Sequence, residues 1–534
     1  MNQSKIAQAI ERGQAVLGIE LGSTRIKAVL IDEDCFPIAK GEHNWENRLE
    51  DGIWTYHLDD VWTGIQCAYA ELVRDVEKTY GVTLRKLAGF GISAMMHGYL
   101  PLDKYGNQLA AFRTWRNTMT EQAAAELTEL LHFNIPQRWS IAHLRQAMIA
   151  HEAHLPQLDK LATLAVYVHW KLTGKFVAGI GEASGMFPID SEALDYNQMM
   201  IKKMDEIVAS DGYVWRMRDI LPKVLSAGDD AGSLTEEGAQ LLDPTGMLEA
   251  GIPAAPPEGD AGTGMVATNS VAAQTGNVSA GTSVFAMIVL DRTLSKVYPE
   301  IDMVTTPTGK PVAMVHCNNC TSDINAWAGM LAGFSEALGT QVSANAIYTT
   351  LFNAACLGDS DCDGVLNINY FSGEPITGFE TGRPMLVRMP ESKLSFENFA
   401  RSLVFGAMTT LRVGMEILTV QEKVQVKTIL GHGGFFKTKN AGQQLMAAAL
   451  NTPISVMETA GEGGPWGMAL LASYRVNKEN GESLEDYLNR CVFASAESLT
   501  LSPEAKDVAG FDAYLKLFRQ GLSVQRAAVE TINA

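Results

Sequence analysis

The chain of 534 residues lacks several things, and each absence narrows what it can be. No apolar run is long enough to cross a membrane, so a membrane-spanning protein is not expected. The stretch Met1 to Gly18 has charges at Lys5, Glu11 and Arg12 among small residues and no apolar core or cleavage site, which excludes a secretory signal there. Positive charge is scarce, 42 Lys and Arg against 61 Asp and Glu, and the net charge of −19 opposes nonspecific binding to nucleic acid or anionic membrane. The seven cysteines are odd in number and scattered, which argues for reduced thiols. Cys317-x-x-Cys320 follows His316, but no second CxxC completes a zinc set, so these are read as packing residues. There is no low-complexity tract and no short-period repeat. A cytoplasmic location is the expectation.

What is present is a globular composition, 46% hydrophobic and 19% charged, in a chain too long for one core. Two segments share one pattern. The first is Ile19-Glu20-Leu21-Gly22-Ser23-Thr24-Arg25-Ile26-Lys27, and the second is Val278-Ser279-Ala280-Gly281-Thr282-Ser283-Val284-Phe285-Ala286. Each reads as two β-strands joined at a tight glycine turn, and they align without a gap. A glycine lets backbone approach a ligand closely, and adjacent hydroxyls and N–H groups suit phosphate oxygens. Repeated near half the chain length, the pattern suggests two related lobes serving one nucleotide, with Lys27 and Arg25 beginning a local cationic site. Either hairpin alone would be unremarkable.

Between and after these hairpins, helical patterns alternate with strands. Helices are predicted at Asp59–Tyr80, Glu121–His132, Ile141–His154, Leu158–Leu172, Thr235–Leu242, Asp323–Leu338, Phe396–Leu418, Ala441–Leu450 and Met468–Tyr474. Strands are predicted at Leu87–Ser93, Lys427–Leu430 and Ile454–Met457. Alternation of this kind argues for an α/β fold in both halves. The boundary is placed near residue 268, giving domains 1–268 and 269–534.

Gly431-His432-Gly433-Gly434-Phe435-Phe436-Lys437-Thr438 looks like a phosphate loop but has Phe436 where the glycine before Lys-Thr must stand. It reads instead as a strand-to-helix turn against which adenine or ribose could lie, or as a plain packing turn. Gly461-Glu462-Gly463-Gly464-Pro465-Trp466-Gly467 is a second such turn. Asp260, between Gly259 and Ala261-Gly262-Thr263-Gly264, has room around it for a phosphoryl group. A sugar hydroxyl needs such a carboxylate to take its proton during phosphoryl transfer, although an isolated Gly-Asp would merely cap a turn. Met96-His97 and Trp115 with Asn117 combine polar and flat apolar groups suited to a polyhydroxylated ligand.

In order and spacing these motifs resemble the FGGY carbohydrate kinases, with xylulokinase-like and gluconokinase-like members most similar. The resemblance spans nearly the whole chain, through Gly18 to Lys27, Met96-His97-Gly98, Leu172-Thr173-Gly174, Ala183-Ser184-Gly185, Gly259-Asp260, Gly281-Thr282-Ser283, Ser372-Gly373-Glu374 and Gly433-Gly434-Phe435 with Thr438. It implies an actin-like, ribonuclease-H-like ATPase fold of two lobes, with ATP and Mg²⁺ in the interlobe cleft. It also implies phosphorylation of a small sugar, a ketopentose such as xylulose or a related polyol or aldonate. Asp260 would be the catalytic base and would share the metal with Glu20, the latter through water. Met96, His97, Trp115, Asn117 and Asp260 would bind the sugar. Gly22, Ser23, Thr24, Lys27, Gly281, Thr282, Ser283, Gly433, Gly434, Phe435 and Thr438 would bind ATP. The expected partners are the sugar and ATP, with no nucleic acid or membrane, and a homodimer is a candidate assembly.

Three departures stand out. Glu20 replaces the usual Asp, one methylene longer. Trp115-Arg116-Asn117-Thr118-Met119 replaces Trp-x-Asp-x-Arg. Extra residues follow the adenosine turn at Lys439 to Gly442. The competing reading is an actin-like or chaperone-like nucleotide-switch ATPase without a sugar substrate. A third, resting only on Glu20, is a member that binds ligand but turns over poorly.

Overall fold

The computed structural model describes residues 3–457, 463–494 and 498–532. The chain divides into two compact units, and the division is not a single cut. The first comprises 1–271, 303–312 and 462–495, and the second 272–302, 313–461 and 496–534.

The first unit is built on strands β1 (Val16–Leu21), β2 (Arg25–Ile31), β3 (Pro37–Asn44), β4 (Gly89–Ala94) and β5 (Glu258–Gly259), in the sheet order β5-β4-β1-β2-β3. The expected hairpin is present, with β1 antiparallel to β2 and Glu20 directly opposite Lys27. β4 then joins β1 in parallel, and β5 joins β4 in parallel. Every residue of β4 is buried, as a parallel strand covered on both faces requires.

Strands β6 (Thr275–Ala280), β7 (Val284–Val289), β8 (Pro311–Cys317), β9 (Thr428–His432) and β10 (Ile454–Met457) repeat the plan in the order β8-β7-β6-β9-β10. β6 and β7 form the second hairpin, and β9 lies parallel to β6. The two glycine hairpins thus occupy equivalent places in two copies of one sheet topology.

Helix Leu58–Tyr80 shows why these helices form where they do. It buries Val61, Ile65, Ala68, Tyr69, Leu72 and Val76 at helical spacing against β3, and stops at left-handed Gly81, whose N–H caps the Glu77 carbonyl. Two expectations need correction. The predicted helix Leu158–Leu172 begins only at Leu164, because Lys160–Ala162 forms a strand with Leu100–Leu102 and Thr163 caps the helix. The glycine-rich turn near 463 is already the first turn of helix Gly463–Asn477, while Gly461 and Glu462 lie outside the described residues.

One stretch, Phe396–Gln421, is long and apolar enough to cross a membrane, contrary to the sequence reading; 72% of its most apolar window is buried within the protein, as in a core helix.

At the end of that stretch, Glu422 accepts from the Ser295 hydroxyl (2.5 Å), the Ser295 amide (3.0 Å), Tyr298 (2.8 Å) and Arg292 (3.3 Å). These donors, Ser295 first, hold its carboxyl down to about 2, against an ordinary 4.5. A depressed carboxylate stabilises the fold above its ordinary value and loses that contribution as pH falls through the folded-state value. Glu422→Gln is therefore expected to cost about 1–3 kcal/mol near neutrality, the range for hydrogen bonds to a charged group. Its melting temperature should converge on that of the unmodified protein as pH drops below about 4.5. A gap that stays constant from pH 7 to pH 3 would refute this.

Candidate active site

In the first unit the chemistry collects where β1, β4 and β5 end. Glu20 is the penultimate residue of β1, Met96 and His97 follow β4, and Asp260 follows β5 at the start of helix Asp260–Ala267. The glycine-rich Ala261–Gly264 is the first turn of this helix rather than an open loop. The Met96 amide donates to Asp260 Oδ1 at 3.0 Å. Burial raises the Asp260 pKa, and the amides of Met96 and Ala261 pull it back toward the ionised form.

Glu20 is pushed up to about 7, by burial first and then by the charge of Asp260, with Lys27 opposing. Its Oε2 lies only 1.4 Å from where a Cβ on Gly464 would stand, so helix Gly463–Asn477 meets the carboxylate with bare backbone. Two neighbouring carboxylates that repel each other, with hard oxygen donors, suit a divalent cation such as Mg²⁺. No cluster of three or more metal-ligating side chains occurs among the described residues.

Two carboxyls behind Asp260 escaped the sequence reading. Glu258 accepts from the amides of Glu182 (2.9 Å) and Gly181 (3.3 Å), and burial pushes it up to about 8. Glu182 is fully buried and pushed well above its usual range by burial first, with the Thr163 hydroxyl opposing and the charges of Glu258 and Asp260 adding to it. Neither of its oxygens meets a donor at hydrogen-bond distance among the described residues, the Thr163 hydroxyl approaching more loosely. Oε2 presses on the position a Gly259 Cβ would take, at 2.6 Å, so the Gly-Asp pair needs its glycine. The only available signal was a glutamate directly before Gly259-Asp260.

Both hairpin turns are prepared for an anion in the same way. In the first, the carbonyls of Gly22, Ser23 and Thr24 accept from Trp45 Nε1 (2.7 Å), Tyr56 OH (2.7 Å) and the Trp45 amide (3.2 Å). In the second, the Gly281 carbonyl accepts from the Thr321 hydroxyl (2.8 Å) and amide (3.0 Å), and the Thr282 carbonyl from the Cys320 amide (3.0 Å). A phosphate only accepts hydrogen bonds, so occupying these carbonyls removes repulsive groups and leaves amides and hydroxyls to meet it.

The remaining expected residues divide. His97 is buried beside Met96, and its Nδ1 lies 3.2 Å from the Gly185 carbonyl. Trp115 is 39% exposed and donates from Nε1 to Ser23 Oγ at 3.3 Å, tying it to the first hairpin. Asn117 has both amide hydrogens committed to the carbonyls of Trp54 (2.8 Å) and Thr114 (3.0 Å) and accepts from the Trp54 amide (2.9 Å). It braces the loop instead of offering its amide to a sugar. In the second unit, Gly433 (φ +100°) and Gly434 are exposed after β9, and a Cβ on Gly433 would lie 2.5 Å from the Ala280 carbonyl. Phe435 is buried between Phe352 and Phe436, so it props this turn from beneath, while Thr438 is half-buried. Cys317 and Cys320 are fully buried with their thiols pushed up, as packing residues would be.

Comparison with known proteins gives a consistent result. Residues 15–266 match the N-terminal domain of the FGGY family of carbohydrate kinases, and residues 276–476 match its C-terminal domain. Xylulose kinase of Escherichia coli K12 is 23% identical over 532 residues, covering 94% of this chain and 98% of that protein. A crystal structure described as a xyloylose kinase from Brucella ovis superposes with a TM-score of 0.76 at 18% identity, covering 96% of this chain and 99% of the other. Gluconate kinase from Lactobacillus acidophilus does so with a TM-score of 0.76 at 17% identity, covering 97% and 98%. The architecture is accordingly the ribonuclease-H-like, actin-like ATPase fold.

Proposed function

Because the chain belongs to the FGGY family of carbohydrate kinases and is an ATP-dependent sugar kinase, we propose that its acceptor is a ketopentose such as xylulose, with Asp260 as the catalytic base. The observation that carries this reading is the Asp260 carboxylate, held at 3.0 Å by the Met96 amide next to the buried His97. The similarity to proteins named xylulose kinase supports the ketopentose.

In this mechanism the sugar lies against Met96 and His97, with Trp115 at the margin, and its reacting hydroxyl donates to Asp260. The carboxylate orients that oxygen and takes its proton as the bond to phosphorus forms, and its raised affinity for a proton favours the transfer. Lys27, with the turn residues Gly22, Ser23 and Thr24, would meet phosphate oxygens, as would Gly281, Thr282 and Ser283, with Gly433, Gly434 and Thr438 beside the nucleoside. Glu20 and Asp260 would hold Mg²⁺, Glu20 through water, and the ion supplies neutralisation of phosphate charge. A coupled assay over ketopentoses, aldonates and polyols tests the assignment. Turnover of none of the ketopentoses would overturn it.

Glu20 bears on the competing idea of a poorly active member. Glu20→Gln is expected to raise the Mg²⁺ concentration for half-maximal turnover about tenfold or more, and Glu20→Asp less, since the shorter acid keeps its charge. Titrating Mg²⁺ at saturating ATP and sugar measures this. Equal, negligible effects would remove Glu20 from the metal site.

A further inference from the structure

Ser372-Gly373-Glu374 receives no task in the site described above. Its surroundings lie wholly within the second unit. Glu374 is fully buried, and the groups that meet its carboxylate are donors. Oε1 accepts from the Asn318 amide at 3.4 Å, and Oε2 from the Asn319 amide and the Asn319 side chain, both at 3.2 Å. Burial pushes the carboxyl up to about 7, and these donors pull it back toward the ionised form. Glutamine would offer one acceptor atom where two are used, and would turn its own N–H groups toward an amide N–H.

The ties continue in both directions. Asn319 Oδ1 accepts from the amides of Phe371 (2.9 Å) and Ser372 (3.0 Å), and Asn318 Nδ2 donates to the Gly373 carbonyl at 2.9 Å. Residues 318–319 are thereby fastened to 371–374, whose backbone pairs at Glu374 with Phe379 (2.7 and 3.2 Å). The next two residues of the segment hold the second hairpin, Cys320 at the Thr282 carbonyl and Thr321 at the Gly281 carbonyl. Across a trans peptide the N–H points opposite to the C=O that precedes it. Holding these two carbonyls on one side therefore aims the N–H groups of Thr282 and Ser283 toward the other.

We propose that Glu374 is a positioning residue for nucleotide binding: its carboxylate fixes residues 318–321, and that segment, through the carbonyls of Gly281 and Thr282, sets the direction of two phosphate-binding amides. The proposal rests on the reading of the second hairpin as a phosphate turn and adds the residue that orients it. Because the effect passes through one short segment to the hairpin, it bears on ATP affinity and not merely on the fold.

Calorimetry of ATP with Mg²⁺ on the full chain tests this without turnover. Glu374→Gln is expected to raise Kd about tenfold, and Glu374→Asp, which keeps both oxygens, less. A residue that served only the fold would lower the melting temperature and leave Kd unchanged. In a Thr321→Val background, which lacks the hydroxyl on the Gly281 carbonyl, Glu374→Gln should cost less affinity than it does alone, since both act on one contact. Folded Glu374→Gln with a Kd within about twofold of the unmodified protein overturns the proposal, as do strictly additive losses. If Glu374→Gln does not fold, Asn318→Ala, at an exposed residue, removes the tie to Gly373 and must raise Kd about twofold to threefold; no change overturns the proposal. Gly281→Ala separates the proposal from the reading beneath it. A Cβ at 281 meets nothing within 4 Å, so this variant keeps the turn and adds bulk on its open side. Unchanged ATP affinity there defeats the phosphate reading of the hairpin and the proposal with it. Weakened affinity there, with none in Glu374→Gln, defeats the proposal alone.

Discussion

Turnover of Asp260→Asn is expected to fall by roughly two to four orders of magnitude, the usual scale for losing a general base. Sugar binding, and ATP binding measured without Mg²⁺, should stay near the unmodified values. Asparagine preserves the shape, and its amide oxygen can still accept from the Met96 N–H that now holds Oδ1 at 3.0 Å. What it cannot do is take a proton. The change also removes one negative charge from beside Glu20, whose proton affinity is raised partly by Asp260. Sugar binding should therefore persist at pH 6 to 7, while the chemical step is lost. Calorimetry for binding and a coupled assay for rate, on protein shown to be folded, separate the two effects. Retention of most of kcat would make Asp260 a helix-start residue and nothing more.

The second large effect is expected at a residue with no side chain. Gly464→Ala would place a methyl group 1.4 Å from Glu20 Oε2, inside bonding distance, with Thr263 Oγ1 only 3.2 Å from it on another side. Either the carboxylate or helix Gly463–Asn477 must move. Shifts of about 1 Å near reacting groups cost on the order of a hundredfold in rate. A drop in kcat of about that size is expected, with a lower melting temperature. A double-mutant cycle identifies the cause, because residues in contact do not add. In a Glu20→Ala background the methyl group has space, and Gly464→Ala should cost much less stability than in the intact protein. Additive losses would mean that the strain lies elsewhere in the helix.

These two residues also mark how far the sequence could be read. The hairpins were legible because their chemistry is local, with a glycine, two hydroxyls and flanking β-formers inside a dozen residues. Asp260 stood out as a candidate for the same reason, an acid among glycines. The clash that makes Gly464 a glycine was not, since it joins positions far apart in the chain. Asn117 is the instructive error. An amide near a Trp looks available to a sugar, and nothing in the sequence reveals that Trp54 and Thr114 consume it. Phe435 misled in the opposite way, as an aromatic ring beside exposed glycines that turns inward to pack on Phe352. The late start of the helix at Leu164 reflects tertiary override, since pairing of Lys160–Ala162 with Leu100–Leu102 outweighs helical periodicity. Glu182 went unnoticed because a buried acid without a strong partner cannot be told from a surface one by its neighbours in sequence.

Helix Gly463–Asn477 has a further consequence, for synthesis on the ribosome. It lies against β1 and helix Asp260–Ala267, with Gly18 of β1 so close that a Cβ there would be 2.1 Å from the Pro465 carbonyl. At about 5–20 residues per second, the chain spends on the order of ten seconds or more between making β5 and making this helix. Through that interval the first sheet exists with one face uncovered, an apolar surface that chaperones or neighbouring nascent chains can reach. A fragment ending near residue 268 would keep that face exposed permanently. Glu20 and Asp260 are encoded early, but they acquire their final surroundings only when translation is nearly finished.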